Sequence, residues 1–388
     1  MKLVVGQFND SYMPITDGVG FVTKNYAYWL NKKYGKAYVI TTSMPKYKDK
    51  GDIPVLRYIS IPVPKRKPYR YGFPQFDFKF QNEFKKIKFD IVHAHSPFVA
   101  GNLALKTARK LKIPIVASFH TKYHEDFKSV IPIKSLVNLS IKSIAKFYNS
   151  VDLVLVPNKS TISTLKKYGY NGKAEVMANG TDLIPPKNIG KLAMAADEDF
   201  GTSKNDFVFM FIGQHIWEKN LKMMINALDI ISKKSRKFKA IFIGGGYAED
   251  EMKNMIKQKG LGEKIKLMGI VRDRKKIMNY YARANLLLFP SLYDTSPLTL
   301  REAAAFNLPT LLINGATAAE GIIDGKNGFL SENNPESYAK KIISLMDNKN
   351  IIRKCGRGAK ESLYRTWETV TDEVMKKYLE LIKNFKNS

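Results

Sequence analysis

Two carboxylates eight positions apart, Asp294 and Glu302, bracket the stretch Asp294-Thr295-Ser296-Pro297-Leu298-Thr299-Leu300-Arg301-Glu302. The apolar run at 286–289 just before it reads as a strand buried on both faces. Pro290 ends that strand, residues 294–296 form a polar turn, and a helix is predicted over 298–306. One acid therefore lies in the turn and the other one to two turns into the helix. The backbone amides between them, at Ser296 to Thr299, open a helix N-terminus, where a phosphate is favoured. In an α/β sheet, helices that follow strand ends are where ligands bind. The plainer reading is a strand, turn and helix with an Asp near the N-cap.

Other chemistry-bearing residues also stand at predicted strand ends. His93 and His95, at i and i+2 in 89–96, point the same way, as metal ligands do. No third or fourth ligand is near them in sequence, so no metal site is expected. His120 closes the apolar run 115–119, a place suited to touching a ligand. Gly18-Val19-Gly20 joins a first strand at 2–7 to a helix at 21–34, and glycine lets backbone approach a ligand closely. Gly244-Gly245-Gly246 follows a strand at 240–243, a pattern shared by many nucleotide-binding folds.

These elements need scaffolds. The chain has 388 residues and is 44% hydrophobic, which suits two domains. Its strands and helices alternate, as in α/β folds. Residues 1–182 read as a first domain and 206–366 as a second that opens on a new strand at 207–212. Residues 183–205, with Pro185-Pro186 and Asp197-Glu198-Asp199, read as a linker with a short helix. A last helix is predicted over 367–385. The single cysteine, Cys355, allows no internal disulfide and fits a reducing compartment. No apolar run approaches the ~18 residues needed to cross a bilayer, and the start reads as a strand rather than a signal peptide. A cytoplasmic protein, peripheral at the inner membrane face, is expected.

The motifs, taken in order, resemble family 4 glycosyltransferases. Asp294 to Glu302 is similar to that family's acidic-x7-Glu motif, with Asp where Glu is usual. Phe89 to Ser96 resembles its strand end with two histidines, and Asn179-Gly180-Thr181-Asp182 its exit from the first domain. Gly213-Gln214-His215-Ile216-Trp217-Glu218-Lys219-Asn220 resembles Gly-Arg-x3-Glu-Lys-Gly/Asn. The resemblance implies a GT-B fold, two Rossmann-like doubly wound domains facing across a cleft, with residues 367–388 returning to the first domain. It implies a retaining transfer of a sugar, glucose-type and from a UDP-sugar, to an acceptor hydroxyl. It assigns catalytic roles to His120, Asp294 and Lys219. It assigns donor contacts to Gly18, Gln214, Lys219, Gly245, Val271, Arg272, Asp294, Ser296, Leu298, Thr299 and Glu302. Lys219 would meet the diphosphate, Asp294 the sugar hydroxyls and Glu302 the ribose. Gln214 replaces the family's arginine, leaving His215, Arg301 or another cation to restore that charge. With no Asp-x-Asp motif at a strand end, no metal is expected, and no cofactor, since the nucleotide-sugar is a substrate.

Net charge is +29, and residues 1–180 hold 30 Lys/Arg against 11 Asp/Glu. Such an excess points to an anionic partner. Residues 62–74 carry Lys65, Arg66, Lys67 and Arg70 among prolines and aromatics and read as an exposed loop. Residues 133–148 form a basic amphipathic pattern with Lys134, Lys142 and Lys146, suited either to an anionic membrane or to packing on the core. The run His120-Thr121-Lys122-Tyr123 resembles diacylglycerol glucosyltransferases, so a membrane glycerolipid is the expected acceptor. A polysaccharide or soluble sugar remains the alternative acceptor. A nucleic-acid-binding protein would explain the charge but not Lys219, Asp294 and Glu302 in order. A nicotinamide-dependent oxidoreductase lacks its glycine fingerprint near the first strand. Oligomeric state is not legible.

Overall fold

Leu286-Leu287-Leu288-Phe289 has no polar position because both faces of its sheet are covered. Leu286 and Leu288 pack with Phe209, Phe211 and Phe242 on one side, while Leu287 packs with Val208, Met210 and Tyr281 on the other. All four are at most 1% exposed, and each such side chain contributes roughly 1.5–3 kcal/mol on burial. The computed structural model describes residues 2–15, 17–64, 66–120, 122–128, 130–234 and 236–386. The predicted contributions of Lys65 and Thr121 lie outside the described residues.

The chain divides into two units, Met1–Asn179 with Trp367–Ser388, and Gly180–Thr366. In the first, strands β1 (Leu3–Phe8), β2 (Gly35–Thr42), β3 (Val55–Tyr58), β6 (Ile91–Ala94), β7 (Ile115–Ser118), β8 (Leu153–Val156) and β9 (Ala174–Val176) form one parallel sheet. Its order is β3-β2-β1-β6-β7-β8-β9, and β4 (Ser60–Pro62) and β5 (Arg70–Gly72) make a separate antiparallel hairpin. In the second, β10 (Val208–Ile212), β11 (Lys239–Ile243), β12 (Ile265–Leu267), β13 (Leu286–Phe289), β14 (Thr310–Ile313) and β15 (Phe329–Ser331) follow the order β12-β11-β10-β13-β14-β15. Both sheets reverse strand order once, between β1 and β6 and between β10 and β13. Ligands bind outside the carboxyl ends of strands at such a switch point.

Two readings need correction. Residues 183–205 are no linker. The helix Gly190–Phe200 is built into the second unit, with Ala196 and Phe200 in its core and Arg283 bonded to Asp197. The small residues and acids that look like linker composition are a packed face and its ion-pair partners. The basic loop at 62–74 also has regular structure at its ends, because Arg70 bonds Ser60 through its side chain and backbone and pins the hairpin. The helix Trp367–Lys386 packs within the first unit, through Trp367 on Tyr26 and through Asp372 with Lys33 and Tyr34.

Candidate active site

The donor residues predicted in the second unit stand beyond the carboxyl ends of β10 to β13. After β10 the chain makes a short 3-10 turn, Trp217–Lys219, and Asn220 takes a left-handed conformation with φ 60°. The Asn220 amide reaches across to the Pro290 carbonyl, 3.2 Å away, at the end of β13. Ser291 holds the turn after β13 by accepting from the amides of Tyr293 and Asp294. These two turns bring the Lys219 ammonium to 2.7 and 2.6 Å from the Asp294 carboxylate oxygens. Lys219 is buried and lies over the Phe289 ring. Asp294 therefore does not cap the following helix, Leu298–Ala305. Among the described residues that helix has no side-chain cap at its start, and the Thr299 hydroxyl is buried with no partner.

Glu302 is also buried, and both its oxygens are engaged. Arg274 donates to Oε1 at 2.7 Å and Tyr281 to Oε2 at 2.7 Å. Arg274 is held in turn by Asp182, through Nε at 3.1 Å and through its terminal nitrogen. Burial works against the Arg274 charge, but Glu302 and Asp182 outweigh it and raise its pKa. A carboxylate has about four acceptor positions, so Glu302 can still take hydroxyl donors. No role falls to Arg274, Asp182 or Tyr281 from the sequence, although Asp182 ends the run Asn179-Gly180-Thr181-Asp182 and Arg274 stands two positions after Arg272.

The glycine loop after β11 has a packing reason. Gly244 has φ +142°, and a Cβ on it would lie 1.8 Å from the Gly213 carbonyl; one on Gly246 would lie 2.4 Å from the His215 carbonyl. Gly245, the predicted donor contact, accepts from the His215 amide, and a Cβ on it would first meet the Ile270 and Glu249 side chains. Gln214 and Arg272 are exposed, Val271 is partly buried against the core, and Ser296 and Leu298 are half-buried. Neither candidate restores the missing arginine. Burial lowers the His215 pKa despite Glu249, leaving it neutral. Arg301 keeps its charge, with burial lowering its pKa to about 10, but it donates to the Leu363 carbonyl. Lys219 is the cation paired with Asp294 there, as Arg274 is with Glu302.

In the first unit, Gly18 opens the helix Gly18–Lys33, and a Cβ there would meet nothing. The glycine is thus not demanded by this unit's own packing. Asp17, beside it, is the N-cap, accepting from the Gly20 amide at 2.7 Å. The His93 and His95 rings stack at 4.2 Å, and His120 stacks on His95 at 5.6 Å. Their ring nitrogens bond with Tyr378, Ser118, Gln7 and one another. Burial lowers the pKa of His120 to about 4 and that of His93 to about 3, with His120 adding to the latter. The unfolded chain, with histidines near 6.5, then binds protons that the folded one refuses, so stability falls as pH drops from about 6.5 toward 4. His120→Gln should relieve part of this. Urea unfolding is expected to show the variant gaining about 2 kcal/mol relative to the parent between pH 7.5 and pH 5.

Comparison with known proteins bears on family and fold. Residues 16–184 match the family described as Glycosyltransferase Family 4, and residues 195–362 match Glycosyl transferases group 1. The chain is 25% identical over 367 residues to the alpha-monoglucosyldiacylglycerol synthase of Acholeplasma laidlawii, covering 92% of each chain. Among solved structures, sucrose-phosphate synthase from Thermosynechococcus elongatus superposes with TM-score 0.78 at 14% identity, covering 99% of this chain and 100% of that one. Anabaena HepE in complex with UDP-glucose superposes with TM-score 0.75 at 16% identity, covering 98% and 100%. With two Rossmann-ordered sheets, a lysine and two acids at one switch point, and these matches along both units, the chain belongs to the family 4 glycosyltransferases of GT-B fold.

Proposed function

We propose that the protein is a retaining, metal-independent hexosyltransferase that moves a glucose-type sugar from UDP-glucose or a close analogue to the hydroxyl of a membrane glycerolipid. The observation that carries the donor half is the buried Lys219 ammonium, gripped by Asp294 beside the uncapped start of the helix Leu298–Ala305. Sugar transfer builds negative charge on the departing diphosphate. A fixed cation and aligned amides stabilise that charge more than they stabilise the ground state. Lys219 and the amides of Ser296, Leu298 and Thr299 supply them, Asp294 orients the lysine and meets sugar hydroxyls, and Glu302 receives the ribose hydroxyls. Gly18, Gln214, Gly245, Val271 and Arg272 complete the donor contacts, and His120 meets the sugar. No cofactor is needed. The alpha-monoglucosyldiacylglycerol synthase relative and the UDP-glucose complex of HepE support this donor and acceptor. Incubation with a panel of nucleotide-sugars should release UDP from UDP-glucose fastest, without added metal; release from no nucleotide-sugar would refute the reading.

The acceptor half rests on two features of the first unit. In the helix Lys134–Tyr148, Val137, Ile141, Ile144 and Phe147 are buried, so the predicted core stripe exists. Yet Ile133, Leu136 and Leu139 stay exposed, Leu139 by 63%, beside exposed Lys134, Lys142 and Lys146. Near the β4–β5 hairpin, Ile61, Tyr71, Phe76 and Phe78 are also exposed, Phe78 by 79%, with Lys67 and Lys79. Arg66 bonds the Asp126 carbonyl in the helix Tyr123–Lys128 and Arg70 bonds Ser60, so these two cations are committed internally. Apolar side chains rimmed by cations fit an anionic membrane interface. Among the described residues no helix is long and apolar enough to cross a membrane. Flotation should show stronger binding to anionic than to neutral vesicles, falling about fivefold for each of Lys142→Gln and Lys146→Gln. Equal binding to both vesicle types would remove the membrane role.

A further inference from the structure

Six buried or half-buried groups of the first unit form one continuous hydrogen-bonded chain. They come from β1, the end of β6, the end of β7 and the last helix. Gln7 sits at its centre. Its side-chain oxygen lies 2.6 Å from His95 Nε2, and its amide nitrogen donates to the Tyr378 hydroxyl at 3.3 Å. His95 Nδ1 is 3.3 Å from His120 Nε2. On the other branch the Tyr378 hydroxyl is 2.6 Å from His93 Nδ1, and His93 Nε2 is 2.8 Å from the Ser118 hydroxyl.

The orientation of the Gln7 amide, oxygen toward His95 and nitrogen toward Tyr378, fixes the direction of the chain. An amide oxygen only accepts, so His95 Nε2 must carry the proton. Burial keeps His95 neutral, its pKa held well below the usual value by desolvation and then by His93 and His120. A neutral imidazole has one proton, so His95 Nδ1 is an acceptor. His120 Nε2 must then be the donor, and His120, neutral for the same reason, has an unprotonated Nδ1. The other branch agrees. The Tyr378 hydroxyl accepts from the Gln7 amide and donates to His93 Nδ1, which leaves His93 Nε2 to donate to Ser118.

We infer that Gln7, supported by Tyr378 on the returning helix, is a positioning residue that locks His120 as the Nε2-protonated tautomer, so that its Nδ1 can only accept a hydrogen bond. This rests on the reading of His120 as a contact to the donor sugar, and it deepens that reading. His120 accepts a hydrogen bond from a sugar hydroxyl. It does not donate to the diphosphate or to an oxyanion. The tautomer, rather than charge, carries this selectivity, since a ring turned to the Nδ1-protonated form would present a donor to the same hydroxyl.

The test is a long-range proton–nitrogen NMR correlation on the full chain with nitrogen-labelled histidine at pH 7. The five histidines give few signals, and His120→Gln identifies the one of interest. In the parent, His120 should show a protonated Nε2 and an unprotonated Nδ1. Gln7→Leu should shift it to a mixture of tautomers and lower kcat/KM for nucleotide-sugar hydrolysis about tenfold, the size of one lost substrate hydrogen bond. Tyr378→Phe keeps the ring that packs on His93 and serves if Gln7→Leu does not fold; it should give the same mixture. A parent His120 that is Nδ1-protonated or already mixed, or a His120 signal unmoved in both variants, overturns the inference. Full activity of His120→Gln with the tautomer as stated would instead remove the sugar-contact reading and leave the proton chain standing.

Discussion

Lys219→Ala should lower kcat for release of UDP from UDP-glucose by about a hundred- to a thousandfold, the usual cost of removing one fixed stabiliser of developing charge. The effect belongs in kcat because the charge on the diphosphate grows as the glycosidic bond breaks. Lys219 is also the cation paired with Asp294 here, with Gln214 uncharged, His215 neutral, Arg301 tied to Leu363 and Arg274 to Glu302. The same change leaves the Asp294 carboxylate without its partner in a largely buried place. A stability loss toward the lower end of roughly 3–5 kcal/mol is expected. Lys219→Met with Asp294→Asn separates the two effects. Stability should largely return, because no buried charge is left unpaired, while kcat stays low. Steady-state kinetics and urea unfolding of the three proteins measure both. If the single variant retains more than a tenth of the parent rate, Lys219 does not stabilise the leaving group.

Glu302→Gln should raise the Kd for UDP about thirtyfold, and it should act on binding rather than on the chemical step. Ribose hydroxyls remain the same from ground state to transition state, so their loss is uniform. An amide in place of the carboxylate keeps the volume but presents only one oxygen. If that oxygen stays on Arg274, the amide hydrogens face Tyr281, which can accept them. If it turns to Tyr281, they face a guanidinium that has only donors. Stability should fall by about 1–3 kcal/mol, the cost of an imperfectly satisfied buried charge. Tyr281→Phe is the companion. It frees one Glu302 oxygen without touching the charge, so it should change UDP affinity less than threefold. Calorimetric titration with UDP distinguishes these outcomes. Unchanged affinity in Glu302→Gln would move the ribose elsewhere.

Much of this could be read along the chain. Strands buried on both faces announce themselves as unbroken apolar runs, as at Leu286–Phe289, and the helix Lys134–Tyr148 shows its buried stripe at helical spacing. Asp294, Glu302, Lys219 and His120 stood out because each follows a strand end. Their partners did not. Composition at 183–205 suggested a linker because small and acidic residues look alike on a solvated segment and on a helix whose acids meet Arg283.

Residue type and local periodicity set which segments become strands and helices and which polar groups lie at strand ends, because those depend on neighbours a few positions away. The sheet order set what these groups do. It lays β10 beside β13, so that Lys219 meets Asp294 across 75 residues of chain. The packing of the last helix likewise brings Tyr378 to Gln7 and His93, at separations of 371 and 285 residues. A hydrogen bond needs its two atoms within about 3 Å, and no pattern of residue types along a chain specifies distances between segments so far apart.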